Sequence, residues 1–163
     1  MGINIKLLVM DVDGTLTDGK LHISESGELF KSFDSKDGYA LKVLLRDKGI
    51  IPVIMTGRES KIVEIRAKEL GITEVYQNIA DKAMALQAVA EKYDISLGET
   101  AFIGDDLNDL TAMTICGLSA CPTNAADEVK AAVDYVCIRD GGNGAVREFV
   151  DWIICNDQRS TPC

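Results

Sequence analysis

The regular alternation of short apolar runs with segments of helical period constrains this chain most. Lys6–Met10, Ile50–Met55 and Thr100–Ile103 are apolar runs of strand length, which predicts strands buried on both faces. Glu74–Tyr76, Leu118–Ala120 and Tyr135–Cys137 are shorter candidates. Between them lie helical patterns. Asp37 is a candidate cap for a helix carrying Leu41, Leu44 and Leu45 on one face and stopped at Gly49. Ser60–Leu70 places Ile62, Val63, Ala67 and Leu70 at helical spacing and ends at Gly71, and Asp81 opens a helix with Ala83, Leu86, Ala90 and Tyr93 in register. Asn108–Ile115, Asp127–Ala132 and Gly144–Ile154 complete the set. Strand and helix in alternation predict an α/β fold, a doubly wound parallel sheet covered on both faces. One stretch breaks the rhythm. Leu21–Ile23 and Glu28–Phe33, separated by Glu25-Ser26-Gly27, predict a β-hairpin insertion. A length of 163 residues fits one domain over 1–155, with the hairpin at about 20–34 and a tail over 156–163.

Charge and cysteine usage narrow the function classes. The net charge is −9, from 17 basic and 26 acidic residues, and no basic stripe is present, which argues against nucleic acid or an anionic membrane as partner. The five cysteines form no Cys-x-x-Cys pair and His22 is the single histidine, which argues against a Cys/His zinc site. Lys6 is followed by only four apolar residues before Asp11, which does not fit a signal peptide, and no apolar run has membrane-spanning length. The expected location is the cytoplasm.

Ligands of doubly wound sheets sit beyond the carboxyl ends of the strands, and the chain collects its polar residues there. Asp11 and Asp13 follow the first strand, Thr56-Gly57-Arg58 the second, and Gly104-Asp105-Asp106 with Asp109 the third, while Lys82 opens a helix after "QNIAD". An Asp-x-Asp turn or an early helix lysine is by itself ordinary surface chemistry. Their joint placement at equivalent strand ends is not. Gathering acids at the end of a buried strand is costly unless a cation offsets their repulsion. Oxygen ligands from Asp11 and Asp105 suit Mg²⁺, which would let a carboxylate approach an anionic phosphate. One carboxylate can then attack phosphorus, and Asp13 can protonate the leaving oxygen and later activate water. Thr56 and Lys82 can hold phosphate oxygens, and Gly14 and Gly57 let backbone N–H groups come close.

These segments resemble a known family. "DVDGT", "MTGR", the lysine before a helix and "GDDLND" resemble the four ordered motifs of the haloacid dehalogenase superfamily, and the first has the form used by its phosphatases. The resemblance implies Asp11 as nucleophile and Asp13 as acid/base. It implies Asp11, the Asp13 carbonyl and Asp105 as Mg²⁺ ligands, with Asp106 and Asp109 in an outer shell or ordering the loop. It gives Thr56 and Lys82 catalytic roles and assigns Thr56, Gly57, Arg58 and Lys82 to substrate binding.

The spacing from Asp11 to Thr56 and from Thr56 to Lys82 leaves no room for the cap domain common in that superfamily. A capless site needs either a macromolecular substrate or a neighbouring subunit to close it. The hairpin is the natural assembly element, because a lone two-stranded hairpin is marginally stable. "KDGYAL", "TGRESKIVEIRAKELGI" and "GGNGAVREFV" are similar to tetrameric phosphatases of 3-deoxy-D-manno-octulosonate 8-phosphate and of sialic-acid-type 9-phosphates. That resemblance implies a small phosphosugar-acid substrate and a homotetramer. Arg58 leans toward the eight-carbon substrate. Asn143 stands where many relatives carry an arginine, and Arg147 is either a substrate contact or a solvated helix residue. A non-catalytic regulatory module and a phosphatase of macromolecular ends are the competing readings.

Overall fold

The computed structural model describes residues 3–157. Among the described residues eight strands appear in chain order: β1 (Leu7–Met10), β2 (His22–Ser24), β3 (Gly27–Phe30), β4 (Ile51–Met55), β5 (Glu74–Tyr76), β6 (Thr100–Ile103), β7 (Leu118–Cys121) and β8 (Tyr135–Val136). Six of them form one sheet in the order β5-β4-β1-β6-β7-β8, and every pairing is parallel. Leu7 sits between Ile51 and Thr100, and Met10 between Ile54 and Ile103. The strand order reverses across β1 and β6, so the switch point lies between these two strands.

The pleat of β1 shows why the sequence folds this way. Leu8 and Met10 face one core, shared with Leu41 and Leu45, with Val63 and Ala67 of helix α3 (Lys61–Leu70), and with Phe149 and Ile153 of helix α7 (Ala145–Asn156). Leu7 and Val9 face the other, shared with Leu86 and Val89 of α4 (Lys82–Lys92), Ala112 and Met113 of α5 (Leu110–Met113), and Val129 of α6 (Asp127–Ala132). A strand apolar on both faces requires helices on both. Each fully buried Leu or Phe in these layers stabilises the fold by about 1.5–3 kcal/mol. Between β1 and β4 the described chain holds only the β2–β3 hairpin and one helical segment, so there is no cap domain. No helix among the described residues is long and apolar enough to cross a membrane.

Several local expectations shift. The helical segment after the hairpin starts a turn early: Asp34, not Asp37, is the cap and accepts the Lys36 N–H at 2.6 Å. The segment runs as α1 (Ser35–Tyr39), a π-type turn over Ala40–Leu44 and α2 (Leu45–Lys48). The wide turn keeps Leu41 and Leu45 buried and leaves Leu44 half-buried. Asp37 is buried instead, accepting the Arg147 N–H at 2.7 Å. The helix expected over Asn108–Ile115 divides into a 3₁₀ turn (Leu107–Asp109) and α5, because Asp106 caps the turn through the Leu107 N–H. At the end of α7, Asp157 bridges to Ile3, while residues 158–163 of the expected tail lie outside the described residues.

Candidate active site

The site forms where β1 and β6 release the chain. The Asp11 N–H still donates to the Ile103 carbonyl at 3.0 Å, so the ladder fixes the first residue beyond β1. The chain then tightens: the N–H groups of Thr15, Leu16 and Thr17 all donate to the Val12 carbonyl. Gly14 permits this turn at φ 100°, and a side chain there would collide with the Asp105 carboxylate. Thr15 Oγ1 donates to Asp105 Oδ1 at 3.1 Å, joining the β1 and β6 loops directly.

Lys82 enters from a third loop. Asp81 caps α4 by accepting the Met84 N–H, which places Lys82 in the first turn, pointing inward with 1% of its surface exposed. Its Nζ lies 2.6 Å from Asp11 Oδ1 and 2.5 Å from Asp109 Oδ1. Asp109 Oδ2 accepts the N–H groups of Asp105 and Asp106 at 3.0 and 3.3 Å. Asp109 thus orders the β6 loop, and Gly104 leaves room for its side chain. Asp106 caps the 3₁₀ turn.

Carboxylate oxygens of Asp11, Asp105 and Asp109 lie within 4.8 Å of one another. Burial and the Asp109 charge push the Asp11 carboxyl up to about 6 against the pull of Lys82. Burial and the charges of Asp11 and Asp109 push Asp105 up to about 8. Burial lowers the Lys82 ammonium, but the two carboxylates outweigh it and raise its pKa. One ammonium therefore does not balance three carboxylates. Such an all-oxygen set, short of positive charge, fits a hard divalent cation. Asp109 has both oxygens committed to Lys82 and the loop amides, so Asp11 and Asp105 are the carboxylates better disposed to hold one.

The β4 loop closes the other side. Thr56 is buried, its backbone tied to Tyr76 and Ile79, and its Oγ1 accepts the Arg58 N–H at 3.4 Å. A Cβ on Gly57 would lie 3.7 Å from the Ile79 carbonyl and 3.9 Å from Asn108 Nδ2, so the β4 and β6 loops are neighbours. The glycine-rich loop at 141–144 packs on the first loop, with the Gly142 N–H donating to the Thr15 carbonyl at 3.0 Å. Arg147 pairs with Asp151 of the same helix at 2.8 Å.

The Asp13 carboxylate stands apart from the three-acid cluster. Its Oδ1 is ion-paired with Lys31, and its Oδ2 lies 3.8 Å from Arg58 Nη1. That Nη1 is buried without a hydrogen-bond acceptor. Lys31 also pairs with Glu28 at 2.9 Å, and Glu28 accepts a hydrogen bond from Ser60 Oγ. The sequence reading missed Lys31, Glu28 and Ser60. A lysine at the end of a half-exposed hairpin carries no local signal of burial, and only its contact with Asp13, 18 residues away, distinguishes it.

Comparison with known proteins follows the same lines. A family model described as haloacid dehalogenase-like hydrolase matches residues 59–149. The 3-deoxy-D-manno-octulosonate 8-phosphate phosphatase of Escherichia coli is 40% identical over 151 residues, covering 93% of this chain and 80% of the relative. The cobalt-bound phosphatase structure from Haemophilus influenzae superimposes with a TM-score of 0.92 at 39% identity, covering 96% of this chain and 91% of that one. The Moraxella catarrhalis phosphatase, solved with magnesium ion, phosphate ion and KDO, gives 0.90 at 42% identity, covering 94% and 88%. With its loops, topology and relatives in agreement, the chain belongs to the haloacid dehalogenase-like hydrolases, as a phosphoric monoester hydrolase akin to the 3-deoxy-D-manno-octulosonate 8-phosphate phosphatases.

Proposed function

We propose that the protein is a Mg²⁺-dependent phosphatase of 3-deoxy-D-manno-octulosonate 8-phosphate that works through an aspartyl-phosphate on Asp11. The observation that carries this reading is the clamp on Asp11, whose Oδ1 is held by a buried lysine at the switch point of the sheet. Lys82 fixes the carboxylate and leaves its second oxygen to attack phosphorus. As the Asp11–phosphorus bond forms, the ester P–O bond breaks, and Asp13 delivers its proton to the departing sugar oxygen. Asp13, now a carboxylate, takes a proton from water. The resulting attack on phosphorus frees inorganic phosphate and restores Asp11. Thr56 Oγ1, the Gly57 N–H and Lys82 hold the non-bridging oxygens.

Asp11, Asp105 and the Asp13 carbonyl would hold Mg²⁺, which would supply the positive charge that lets anionic carboxylate and phosphate meet. Arg58 Nη1, a buried donor beside Asp13 with no acceptor, suits an anionic oxygen of the substrate. Ile23 and Phe30 of the hairpin are 61% and 50% exposed, apolar side chains that fit assembly into a homotetramer whose neighbouring subunit covers the open site. Cys116, Cys121 and Cys137 are free thiols, which suits work in the cytoplasm.

Phosphate release over a panel of phosphosugar acids, with Mg²⁺ and again after EDTA, tests the reading. Turnover of the eight-carbon ester that is lost with EDTA and restored by Mg²⁺ is expected. Preference for a nine-carbon 9-phosphate would move the substrate assignment and leave the chemistry intact. No turnover of any ester would overturn both.

A further inference from the structure

The hairpin does more than expose apolar side chains. Its second strand ends at Phe30, and the next residue, Lys31, turns inward until 2% of its side chain is exposed. The ammonium is ion-paired with Asp13 Oδ1 and lies 2.9 Å from Glu28 Oε1. Glu28 is anchored in turn by Ser60, the cap of α3, and by Arg58 Nη2 at 3.7 Å. Burial alone would raise the Glu28 carboxyl, but Ser60, Lys31 and Arg58 together hold it below its ordinary range. An unbroken series of charged contacts therefore runs from the α3 cap through the hairpin to Asp13.

A long, flexible lysine loses rotamer entropy when it is fixed in one place. That cost is met here by two carboxylates, one from the hairpin and one from the β1 loop. A carboxylate held at one oxygen keeps the other at a set angle. Lys31 occupies Oδ1, and Oδ2 is the oxygen turned toward Arg58 and its unpartnered N–H.

We propose that Lys31 is a positioning residue for the acid/base chemistry of Asp13, with Glu28 as its anchor, so that the hairpin contributes to turnover as well as to assembly. The inference rests on the acid/base role proposed for Asp13. It acts on geometry: Lys31 fixes which Asp13 oxygen faces the leaving group. Misplacing a reacting group by about 1 Å costs on the order of 100-fold in rate.

The test compares Lys31→Met and Lys31→Arg with the parent enzyme on two esters: the eight-carbon sugar-acid phosphate, whose alkoxide leaving group needs a proton, and p-nitrophenyl phosphate, whose phenolate does not. Lys31→Met is expected to lower the rate of aspartyl-phosphate formation from the sugar ester, read in the first turnover, by about 10- to 100-fold. KM should stay within about twofold, and the loss on p-nitrophenyl phosphate should be at least several-fold smaller. Lys31→Arg should recover most of the rate, since it retains the charge and reach. Equal losses in that first-turnover rate on both esters, a change confined to KM, or an unchanged first-turnover rate would overturn the proposal. Should Lys31→Met fail to fold, Glu28→Gln releases the anchor and is read by the same criteria. Failure of the underlying reading is separable: the parent enzyme would then turn over p-nitrophenyl phosphate but not the sugar ester, and another alkyl phosphate that it accepts would serve for the comparison.

Discussion

Lys82 reaches across 71 positions of sequence to place its ammonium 2.6 Å from Asp11, and in the same position it touches Asp109 at 2.5 Å. The lysine is thus both a clamp on the proposed nucleophile and the counter-charge for a buried acid. Removing it strands two carboxylates in a site where 1% of the lysine itself is exposed. Lys82→Met should lower stability by about 3 kcal/mol, the typical cost of breaking a buried pair from one side. That corresponds to a Tm drop on the order of 10 °C in calorimetry. An unchanged Tm would show that the acids are neutralised without Lys82.

The three-acid cluster should respond to metal and to charge removal with opposite signs. Mg²⁺ added to chelator-stripped protein should raise Tm, by the equivalent of about 2.7 kcal/mol at a hundredfold excess over Kd. Asp105→Asn should abolish that rise. Burial and its acidic neighbours push Asp105 up to about 8, so its charged form destabilises the metal-free fold. The metal-free variant should therefore melt above the metal-free parent at pH 8 and above. Thermal scans with and without Mg²⁺ read both effects.

Asp37 offers a pH signature away from the cluster. Burial pushes its carboxyl up to about 6 from an ordinary 3.8. The folded state then binds more protons than the unfolded state between those values, so stability falls as pH rises from about 4 to about 6 and stays lower above. Asp37→Asn keeps an acceptor for the Arg147 N–H and removes the charge. It should add about 1 kcal/mol at pH 7 and flatten the profile between pH 4 and 6, as read by urea denaturation.

The hairpin prediction concerns assembly. Phe30→Glu places a charge on the hairpin, where Leu21, Ile23, Leu29 and Phe30 are each exposed. Sedimentation equilibrium should show the parent at four times the 17.7 kDa chain mass and the variant at the chain mass. A parent that sediments as a monomer would remove the tetramer from the account.

Much of this was legible in the sequence because it depends on local pattern. The apolar runs and helix periods determine the layers, and the rule that ligands sit at strand ends brings Asp11, Thr56, Lys82 and Asp105 to one edge. Gly14 is legible too, as a glycine after an Asp-x-Asp turn. What escaped depends on contacts between distant segments. The Asp37 assignment failed because two acids, Asp34 and Asp37, stand within one turn, and the burial of Asp37 is decided by α7. The π-type turn over Ala40–Leu44 has no marker in a periodicity that α2 continues. Asp109 could be read as an outer-shell acid or as an order-giving one, and its bonds to the loop amides favour the second. Lys31 was unreadable, since its burial is imposed by Asp13 and Glu28 together.

The most direct measurement is acid quench of the Mg²⁺-loaded enzyme within the first turnover, followed by mass spectrometry of the peptide containing Asp11. The account predicts one phosphoryl group on Asp11, formed and lost at rates compatible with turnover, and absent from Asp11→Asn, which keeps its fold and loses nearly all activity. Full phosphate release by Asp11→Asn, or a phosphoryl group on another residue, would contradict it.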